Sequence, residues 1–106
     1  MGLTFKENCP DLRNSKVIEL INILKEKQIN IDIYDPYADF ELAKELTGIE
    51  IFKDIPEKKY GGMIAAVKHK NFEKVSLKKW ENILYKNRLV FDLKGFLPRQ
   101  IVDFRL

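Results

Sequence analysis

Apolar side chains recur at the spacing of amphipathic helices in three stretches of the chain. The first runs from Ser15 to about Lys27, the second from Asp39 to Thr47 and the third from Val75 to Tyr85. The first stretch has a wide apolar face, as in a helix that packs on a sheet. This face consists of Val17, Ile18, Leu20, Ile21, Ile23 and Leu24. We therefore predict three helices with these bounds.

Residues suited to helix ends flank these stretches. Ser15 or Asn14 is expected to cap the first helix, because either side chain can accept a hydrogen bond from an amide of the first turn. Ser76 is placed to do the same for the third helix, and Gly48 is expected to end the second.

Strand patterns alternate with these helices. Ile29–Tyr34 alternates apolar and polar residues, whereas Met63–Val67 is a continuous apolar run, typical of the interior of a parallel sheet. Ile49–Phe52 and Arg88–Leu93 are also predicted strands. The tail from Phe96 to Leu106 is expected to hold at most a short strand.

The chain opens on three residues, Met1–Leu3, that precede a loop and a helix. This order predicts a strand, although three residues are few for a buried one. We expect the first strand to be truncated, so that the chain begins inside it and is a piece of a longer polypeptide.

The alternation of strands and helices predicts an α/β fold, because parallel strands need crossover connections. We expect one domain, a Rossmann-like three-layer sandwich with a mostly parallel sheet. Ligands bind outside the carboxyl ends of the strands in such sheets. On that edge we expect Lys6, Asp35, Lys68, His69 and Lys94, so that the edge as a whole is cationic.

Composition and charge narrow the function classes. The 106 residues are 45% hydrophobic and 33% charged, the usual balance of a globular protein. A net charge of +3, from 19 basic and 16 acidic residues that are mixed along the chain, is too weak to demand nucleic acid or an anionic membrane. Apolar runs are shorter than the ~20 residues that span a bilayer, so no membrane is expected. Cys9 is the single cysteine, which excludes an intrachain disulfide and a cysteine-based metal cluster and favours the cytoplasm.

The connection from Thr4 to Ser15 concentrates groups that bind ligands. Lys6 can meet a phosphate as a point charge, and Arg13 can meet one as a bidentate fork. Asp11 lies two residues before Arg13 and is expected to hold its guanidinium in place. Phe5 can stack on a base or a sugar, or belong to the core.

The same connection differs from a dinucleotide-binding loop. A GxGxxG turn brings the pyrophosphate close to the backbone, but the residues from Phe5 to Ser15 include no glycine. Asp35 follows the second predicted strand, where such folds place a ribose-binding acid. Capping of the Asp35–Pro36 turn is the favoured interpretation. The chain is therefore not expected to hold a primary NAD site.

Structural interpretations are favoured for the other candidate groups. A nucleophilic Cys9 needs a base or a cationic setting to form a thiolate, and His69, the only histidine, is on a different loop. Neither is favoured as a catalytic group. The basic stretch from Lys68 to Lys79 contains acids and indicates a solvated helix face. Trp80 is expected to be a core residue.

The sequence from Gly2 to Ser15, GLTFKENCPDLRNS, follows the pattern GxxFKxxxxDxRxS. It resembles the opening of the C-terminal domain of the UDP-glucose/GDP-mannose dehydrogenase family. Ile33–Pro36 and Val90–Gly95 match two further landmarks in the same order, so the resemblance covers essentially the whole chain. The segment FKENCPDLRNS is most similar to the branch that oxidises UDP-N-acetylhexosamines.

This resemblance implies that residues 1–106 are the UDP-sugar-binding domain of an NAD-dependent UDP-sugar 6-dehydrogenase. Such an enzyme oxidises the C6 alcohol to a carboxylate in two steps, here for surface polysaccharide synthesis. The resemblance implies that Phe5 and Lys6 contact the UDP-N-acetylhexosamine and that Arg13 reaches NAD held by another domain. Lys94 stands where many members have a substrate-contacting arginine, and it keeps the charge without the fork.

The family also implies partners for this chain. They are an N-terminal NAD-binding domain and a central domain with the catalytic cysteine and lysine, in a parent enzyme that is a homo-oligomer. Cys9 does not match that cysteine, so the chain alone is expected to be inactive. Two alternatives come from other classes. One is an α/β interaction module of response-regulator type, which needs an acidic pocket at the strand ends; the other is a weak nucleic-acid-binding domain that uses Lys68 to Lys79.

Overall fold

The computed structural model describes residues 1–4 and 6–106, so the predicted contacts of Phe5 lie outside the described residues. Along the described residues, helices and parallel strands follow one another, except that no helix separates the second strand from the third. The helices are α1 (Lys16–Glu26), α2 (Phe40–Thr47), α3 (Lys70–Glu73) and α4 (Leu77–Asn82), with a short 3₁₀ helix at Arg99–Ile101. The strands are β1 (Ile33–Tyr34), β2 (Ile51–Phe52), β3 (Tyr60–Ala65), β4 (Leu84–Asp92) and β5 (Phe104–Arg105).

The strands form two parallel groups, β1 with β2 and β3 with β4 and β5. Residues 1–3, the N-terminal segment, run between them. The Gly2 N–H donates to the Tyr34 carbonyl at 2.9 Å on the β1 side. On the β3 side the Met1 nitrogen donates to the Ile64 carbonyl at 2.6 Å, and the Met1 carbonyl accepts from Ala66 at 2.9 Å. The spatial order is therefore β2, β1, N-terminal segment, β3, β4, β5, which is the order of a Rossmann fold.

Two hydrophobic cores cover opposite faces of this sheet. Adjacent strand residues point to opposite faces, and the neighbours Ile33 and Tyr34 contact different cores. The first core lies under α1 and α2 and consists of Leu3, Leu12, Ile21, Ile33, Ala38, Ala43 and Ile51. The second lies under α3 and α4 and includes Met63, Ala65, Phe72, Trp80, Leu84, Val90 and Ile101. The predicted α/β Rossmann-like sandwich is confirmed.

The β1 strand is shorter than the predicted Ile29–Tyr34. Gln28 adopts the left-handed conformation (φ 61°), and the Ile29 N–H donates back to the Leu24 carbonyl at 3.3 Å. This arrangement closes the C-terminus of α1. Ile29 is then half exposed, and only the last two residues of the predicted strand pair with β2.

The predicted helix over Val75–Tyr85 is wrong at its C-terminal end. Helix α4 ends at Asn82, and Leu84 begins β4, where it pairs with Tyr60. The apolar residues Ile83 and Leu84 are buried because they enter the sheet, a role that helical spacing cannot distinguish from a helix face. Sequence patterns also missed α3, which at four residues is too short to show a period.

The structure confirms two of the predicted helix-end residues and contradicts one prediction. Gly48 ends α2 in the left-handed conformation (φ 74°), and the Ser76 side chain accepts from the Lys79 amide, so both predictions are confirmed. Ser15 occupies the N-cap position of α1, but its hydroxyl donates to the Leu3 carbonyl at 2.5 Å. The predicted side-chain cap of α1 by Ser15 or Asn14 is therefore wrong, because Ser15 occupies the N-cap position and its hydroxyl connects the helix start to the N-terminal segment instead.

The face of β4 and β5 that points away from α3 and α4 is apolar. Leu89 and Phe104 are each about half exposed there, and the ring of Phe104 stacks on that of Phe91 at 4.9 Å. Trp80 is fully buried on the opposite face, which confirms its predicted core position. Within the described residues, no helix has the length and apolar character needed to cross a bilayer.

Candidate functional site

The strand order places a topological switch point between the N-terminal segment and β3. One connection, residues 4–15, leaves the N-terminal segment toward α1, and the other, residues 66–69, leaves β3 toward α3. Open α/β sheets bind ligands in the crevice outside the strands at this point. The candidate site is therefore the edge formed by these two connections and by Asp35 at the end of β1.

Asp35 lies at the centre of this edge and is fully buried. Its Oδ2 accepts hydrogen bonds from the amides of Leu3 at 2.6 Å and Thr4 at 3.3 Å. Its Oδ1 accepts from the amides of Tyr37 at 2.7 Å and Ala38 at 3.0 Å. The predicted cap of the turn after β1 is confirmed. The same carboxylate also anchors the start of the first connection.

The ionised form of Asp35 is favoured in the fold. Burial by itself raises the pKa of this carboxyl, since it penalises the charged form. The hydrogen bonds from His69 and from the Leu3 and Tyr37 amides act in the opposite direction and prevail, so the pKa of Asp35 lies below its usual range.

His69 binds the other side of Asp35 and is also fully buried. The His69 Nε2 lies 2.9 Å from Asp35 Oδ2 and 3.3 Å from Thr4 Oγ1, whose own hydrogen is donated to the Lys6 carbonyl. The Asn8 N–H donates to His69 Nδ1 at 2.9 Å. Because Nδ1 accepts, the ring is neutral and carries its proton on Nε2, which donates to Asp35.

Asn8 holds the first connection against the start of α3 by two hydrogen bonds. Its amide donates to His69, and its Oδ1 accepts from the Lys70 amide at 2.8 Å. Asn8 has φ of 57°, in the left-handed region that asparagine tolerates better than most residues. Asn8 is not among the predicted site residues, although an asparagine within a loop is a recognisable candidate for such a conformation.

Aromatic rings enclose the imidazole. The centroid of the Tyr37 ring lies 4.7 Å from that of His69, and the Phe72 centroid lies 5.4 Å from it. The Tyr37 hydroxyl donates to Asn71 Oδ1 at 2.9 Å, so this ring also joins the loop after β1 to α3. His69 is thus part of the fold of the edge and is not exposed as a general base.

Arg13 and Asp11 form the ion pair that their spacing suggested. The Arg13 Nε donates to Asp11 Oδ1 and its Nη2 to Asp11 Oδ2, both at 3.0 Å. These hydrogen bonds hold the pKa of Asp11 below its usual range. The Arg13 side chain remains 85% exposed, so its guanidinium is oriented and still accessible to a ligand.

The two lysines of the predicted site are exposed on loops at this edge. Lys6 belongs to the first connection, and Lys94 lies two residues after the end of β4 at Asp92. The loop of Lys94 is anchored by Asp92, which is fully buried and accepts from the amides of Gly95 and Leu97, each at 2.8 Å. Asp92 is a second anchor that is not among the predicted site residues, although its position at a strand end resembles that of Asp35.

The other candidate groups of the sequence are the lysines from Lys68 to Lys79, together with Cys9 and His69. Lys68 pairs with Glu73 at 3.4 Å, and all the lysines from Lys68 to Lys79 are exposed, as a solvated face requires. Both ring nitrogens of His69 are engaged by other residues, so the imidazole does not serve as a base for Cys9. Among the described residues, no group of three or more His, Cys, Asp or Glu side chains is arranged to hold a metal ion.

Known proteins are similar in sequence to this chain over nearly its full length. Residues 1–99 match the UDP-binding domain of the UDP-glucose/GDP-mannose dehydrogenase family. A UDP-N-acetyl-D-glucosamine 6-dehydrogenase of Pseudomonas aeruginosa is 38% identical over 106 residues, which are all of this chain and 25% of that protein. Its counterpart in Salmonella typhi is 33% identical over the same shares of the two chains. Protein CapL of Staphylococcus aureus is 40% identical over 97 residues, or 92% of this chain and 23% of CapL.

The extent of these matches is informative for both the chain and its candidate site. The chain spans about a quarter of the length of the curated relatives it matches. The family match covers the first connection, Asp35, His69 and the loop of Lys94, so it includes every part of the candidate edge. The chain therefore belongs to the UDP-glucose/GDP-mannose dehydrogenase family, as its UDP-binding domain.

Proposed function

We propose that residues 1–106 bind the UDP-sugar substrate as the C-terminal domain of an NAD-dependent UDP-sugar 6-dehydrogenase. The observation that carries this proposal is the edge at the switch point. There the buried Asp35–His69 pair anchors a connection that presents the exposed cations Lys6 and Arg13. A ligand with a diphosphate suits such an edge, because lysine and arginine side chains favour anionic oxygens.

In this proposal each site residue has a separate task. Lys6 and Lys94 neutralise the diphosphate as point charges, and Phe5 contacts the nucleotide or the sugar. Lys94 needs the loop after β4 to be held in place, and the hydrogen bonds from this loop to Asp92 provide that support. Arg13 contacts the cofactor, and Asp11 orients its guanidinium.

The residues of this chain suit NAD only as a contributing surface. The connection that would cradle a pyrophosphate contains no glycine from Phe5 to Ser15. Asp35 stands where a ribose-binding acid would be, but both its oxygens accept hydrogen bonds from within the fold. We therefore assign NAD mainly to another domain of the parent enzyme, where the cofactor would accept hydride, and to this chain only the contact of Arg13.

The parent enzyme that we propose oxidises C6 of a UDP-N-acetylhexosamine to a carboxylate in two steps, for surface polysaccharide synthesis. Two of the relatives are named UDP-N-acetyl-D-glucosamine 6-dehydrogenases, which supports this substrate class. The partners of the chain are then the N-terminal NAD-binding domain and the central domain, in a homo-oligomeric parent. The catalytic cysteine would lie in the central domain, so this chain alone is inactive.

Titration of UDP into the isotope-labelled chain tests this proposal. We expect localised changes of the amide signals around Lys6 and Lys94. Lys6→Ala should weaken binding at least about tenfold, since a hydrogen bond to a charged group contributes about 1.5–3 kcal/mol. Lys86→Ala is the matched control, because Lys86 is an exposed lysine near the start of β4, at the opposite edge of the sheet.

Two results would contradict the proposal. One is the absence of localised changes at millimolar UDP. The other is equal weakening by Lys6→Ala and Lys86→Ala, which would indicate attraction by the overall positive charge. The response-regulator and nucleic-acid alternatives receive no support from the family match.

A further inference from the structure

We propose that His69 is the positioning residue of the UDP-binding loop, residues 4–15, and that it acts through a hydrogen bond that only its neutral ring can accept. This inference rests on the function proposed above, because it assumes that this loop carries the ligand contacts. It concerns a buried residue on a different connection, which the sequence predicted to lie at this edge and which was not favoured as a catalytic base.

Asp35 determines which nitrogen of His69 faces the loop. The proton on Nε2 is directed at the Asp35 carboxylate at 2.9 Å, so the lone pair of Nδ1 points to the Asn8 amide. The Tyr37 and Phe72 rings pack against the imidazole and hold its plane. These contacts hold the loop at a fixed position relative to the end of β1.

The hydrogen bond from His69 reaches the loop at Asn8. Asn8 lies two residues after Lys6 and five before Arg13, so its position governs how the chain passes between the two cations. Its side chain makes a second attachment, because Asn8 Oδ1 accepts a hydrogen bond from the Lys70 amide at 2.8 Å. A loop held in its binding conformation before the ligand arrives loses less conformational entropy on binding. His69 therefore increases affinity for UDP without touching it.

The protonation state of the ring controls this attachment. Asp35 and Tyr37 face the ring from the β1 side, Phe72 faces it from α3, and Thr4 and Asn8 face it from the loop. Of these groups that face the ring, Asp35 is the one that carries a charge. A second proton on Nδ1 would direct one donor at another, the Asn8 N–H, and the loop would lose its attachment even though the ring stayed beside Asp35.

The variant His69→Gln tests the inference. Glutamine keeps an N–H for Asp35 at the end of its side chain, but its acceptor Oε1 is bonded to the terminal carbon beside that N–H, so the Nδ1 position that accepts from the Asn8 amide is lost. Thr47→Val is the control, because Thr47 is also buried and its hydroxyl bonds to Ala43 and Ile49, with a hydrogen donated to the Ala43 carbonyl at 2.7 Å, rather than to the loop. We expect His69→Gln to weaken UDP binding about tenfold, the effect of losing one hydrogen bond. Exchange of the Asn8 amide hydrogen should become at least about tenfold faster. Thr47→Val should reduce the free energy of unfolding without either effect.

A pH series on the wild type needs no variant. The Asn8 amide protection and the affinity for UDP should fall together as the ring signals of His69 report uptake of a second proton. His69→Gln should show no such coupled change. Wild-type values of affinity and Asn8 exchange in His69→Gln would overturn the inference and leave the proposed function intact. A wild type that does not bind UDP would overturn the function, and the Asn8 exchange rates, which require no ligand, would still decide whether His69 positions the loop.

Discussion

Asp35 and His69 are both fully buried, and the Nε2–H of His69 donates to Asp35 Oδ2 across 2.9 Å. The bond joins the end of β1 to the connection after β3 across the intervening N-terminal segment. The amides of Leu3 and Thr4 donate to the same oxygen. One carboxylate thus holds together the three neighbouring chain segments that meet at the switch point, and the candidate binding edge is built around it.

Asp35→Asn should destabilise the fold by about 3 kcal/mol, because the carboxamide cannot accept at both positions and leaves buried donors unpaired. The pKa of Asp35 is lower in the fold than in the unfolded chain. Its contribution is therefore complete above the unfolded value of about 3.9 and is lost as the pH falls through the folded value. Urea denaturation at several pH values should show the stabilities of wild type and variant converging below about pH 4.

The exposed Asp54 supplies the control for this series. Asp54→Asn should change the free energy of unfolding by no more than about 0.5 kcal/mol at any of these pH values. A wild type whose advantage over Asp35→Asn stays constant down to the acid transition would show that the charge of Asp35 does not stabilise the fold.

Gly2→Ala should cost at least about 2 kcal/mol of folding free energy. Gly2 has φ of 84°, and a Cβ there would lie 2.6 Å from the Val67 Cβ and 2.8 Å from the Val67 nitrogen. The N-terminal segment would then separate from the connection after β3. Gly61→Ala is the matched change, since a Cβ at Gly61 meets nothing within 4 Å. Chemical denaturation of the two variants should differ clearly, and equal midpoints would contradict the close packing of Gly2.

Arg13→Ala should raise the pKa of Asp11 toward its ordinary value. The side-chain hydrogen bonds from Arg13 are the largest cause of the lowered pKa, and the Arg13 amide adds to them. An NMR titration that follows the Asp11 carboxyl carbon measures the change. Lys16→Ala should leave the titration nearly unaltered, because Lys16 pairs with Glu19 instead. An unchanged Asp11 pKa in Arg13→Ala would mean that the pair does not persist in solution.

Lys94→Ala should weaken UDP binding at least about tenfold, whereas Lys94→Arg should keep or improve the affinity. Arginine retains the charge and adds the fork that suits a diphosphate. Isothermal titration calorimetry gives the dissociation constants. Lys78→Ala, on the exposed side of α4, should bind as the wild type does. If Lys94→Arg binds as poorly as Lys94→Ala, the charge of Lys94 is not what the ligand meets.

Sequence patterns predicted helix ends correctly where the residue acts through a property of its own, such as the conformational freedom of a glycine or the hydroxyl of a serine. Gly48 ends α2 because it adopts the left-handed conformation with little strain, and Ser76 caps α4 through its hydroxyl. Ile83 and Leu84 were misassigned because burial in a strand and burial on a helix face require the same apolar side chains. Ser15 was misassigned because its hydroxyl has a partner distant in sequence, the Leu3 carbonyl, that outcompetes the local one.

The sequence alone determined the α/β class, the loop that carries Lys6, Asp11 and Arg13, and the local pairing of the last two, since alternation, composition and short spacing are local properties. Only the tertiary structure decided that Asp35, His69 and Asn8 form one network. These residues come from three connections, separated by 27 and 34 positions along the chain. The contacts exist because the strand order brings the carboxyl ends of β1, the N-terminal segment and β3 side by side, and this order depends on backbone pairing between distant segments.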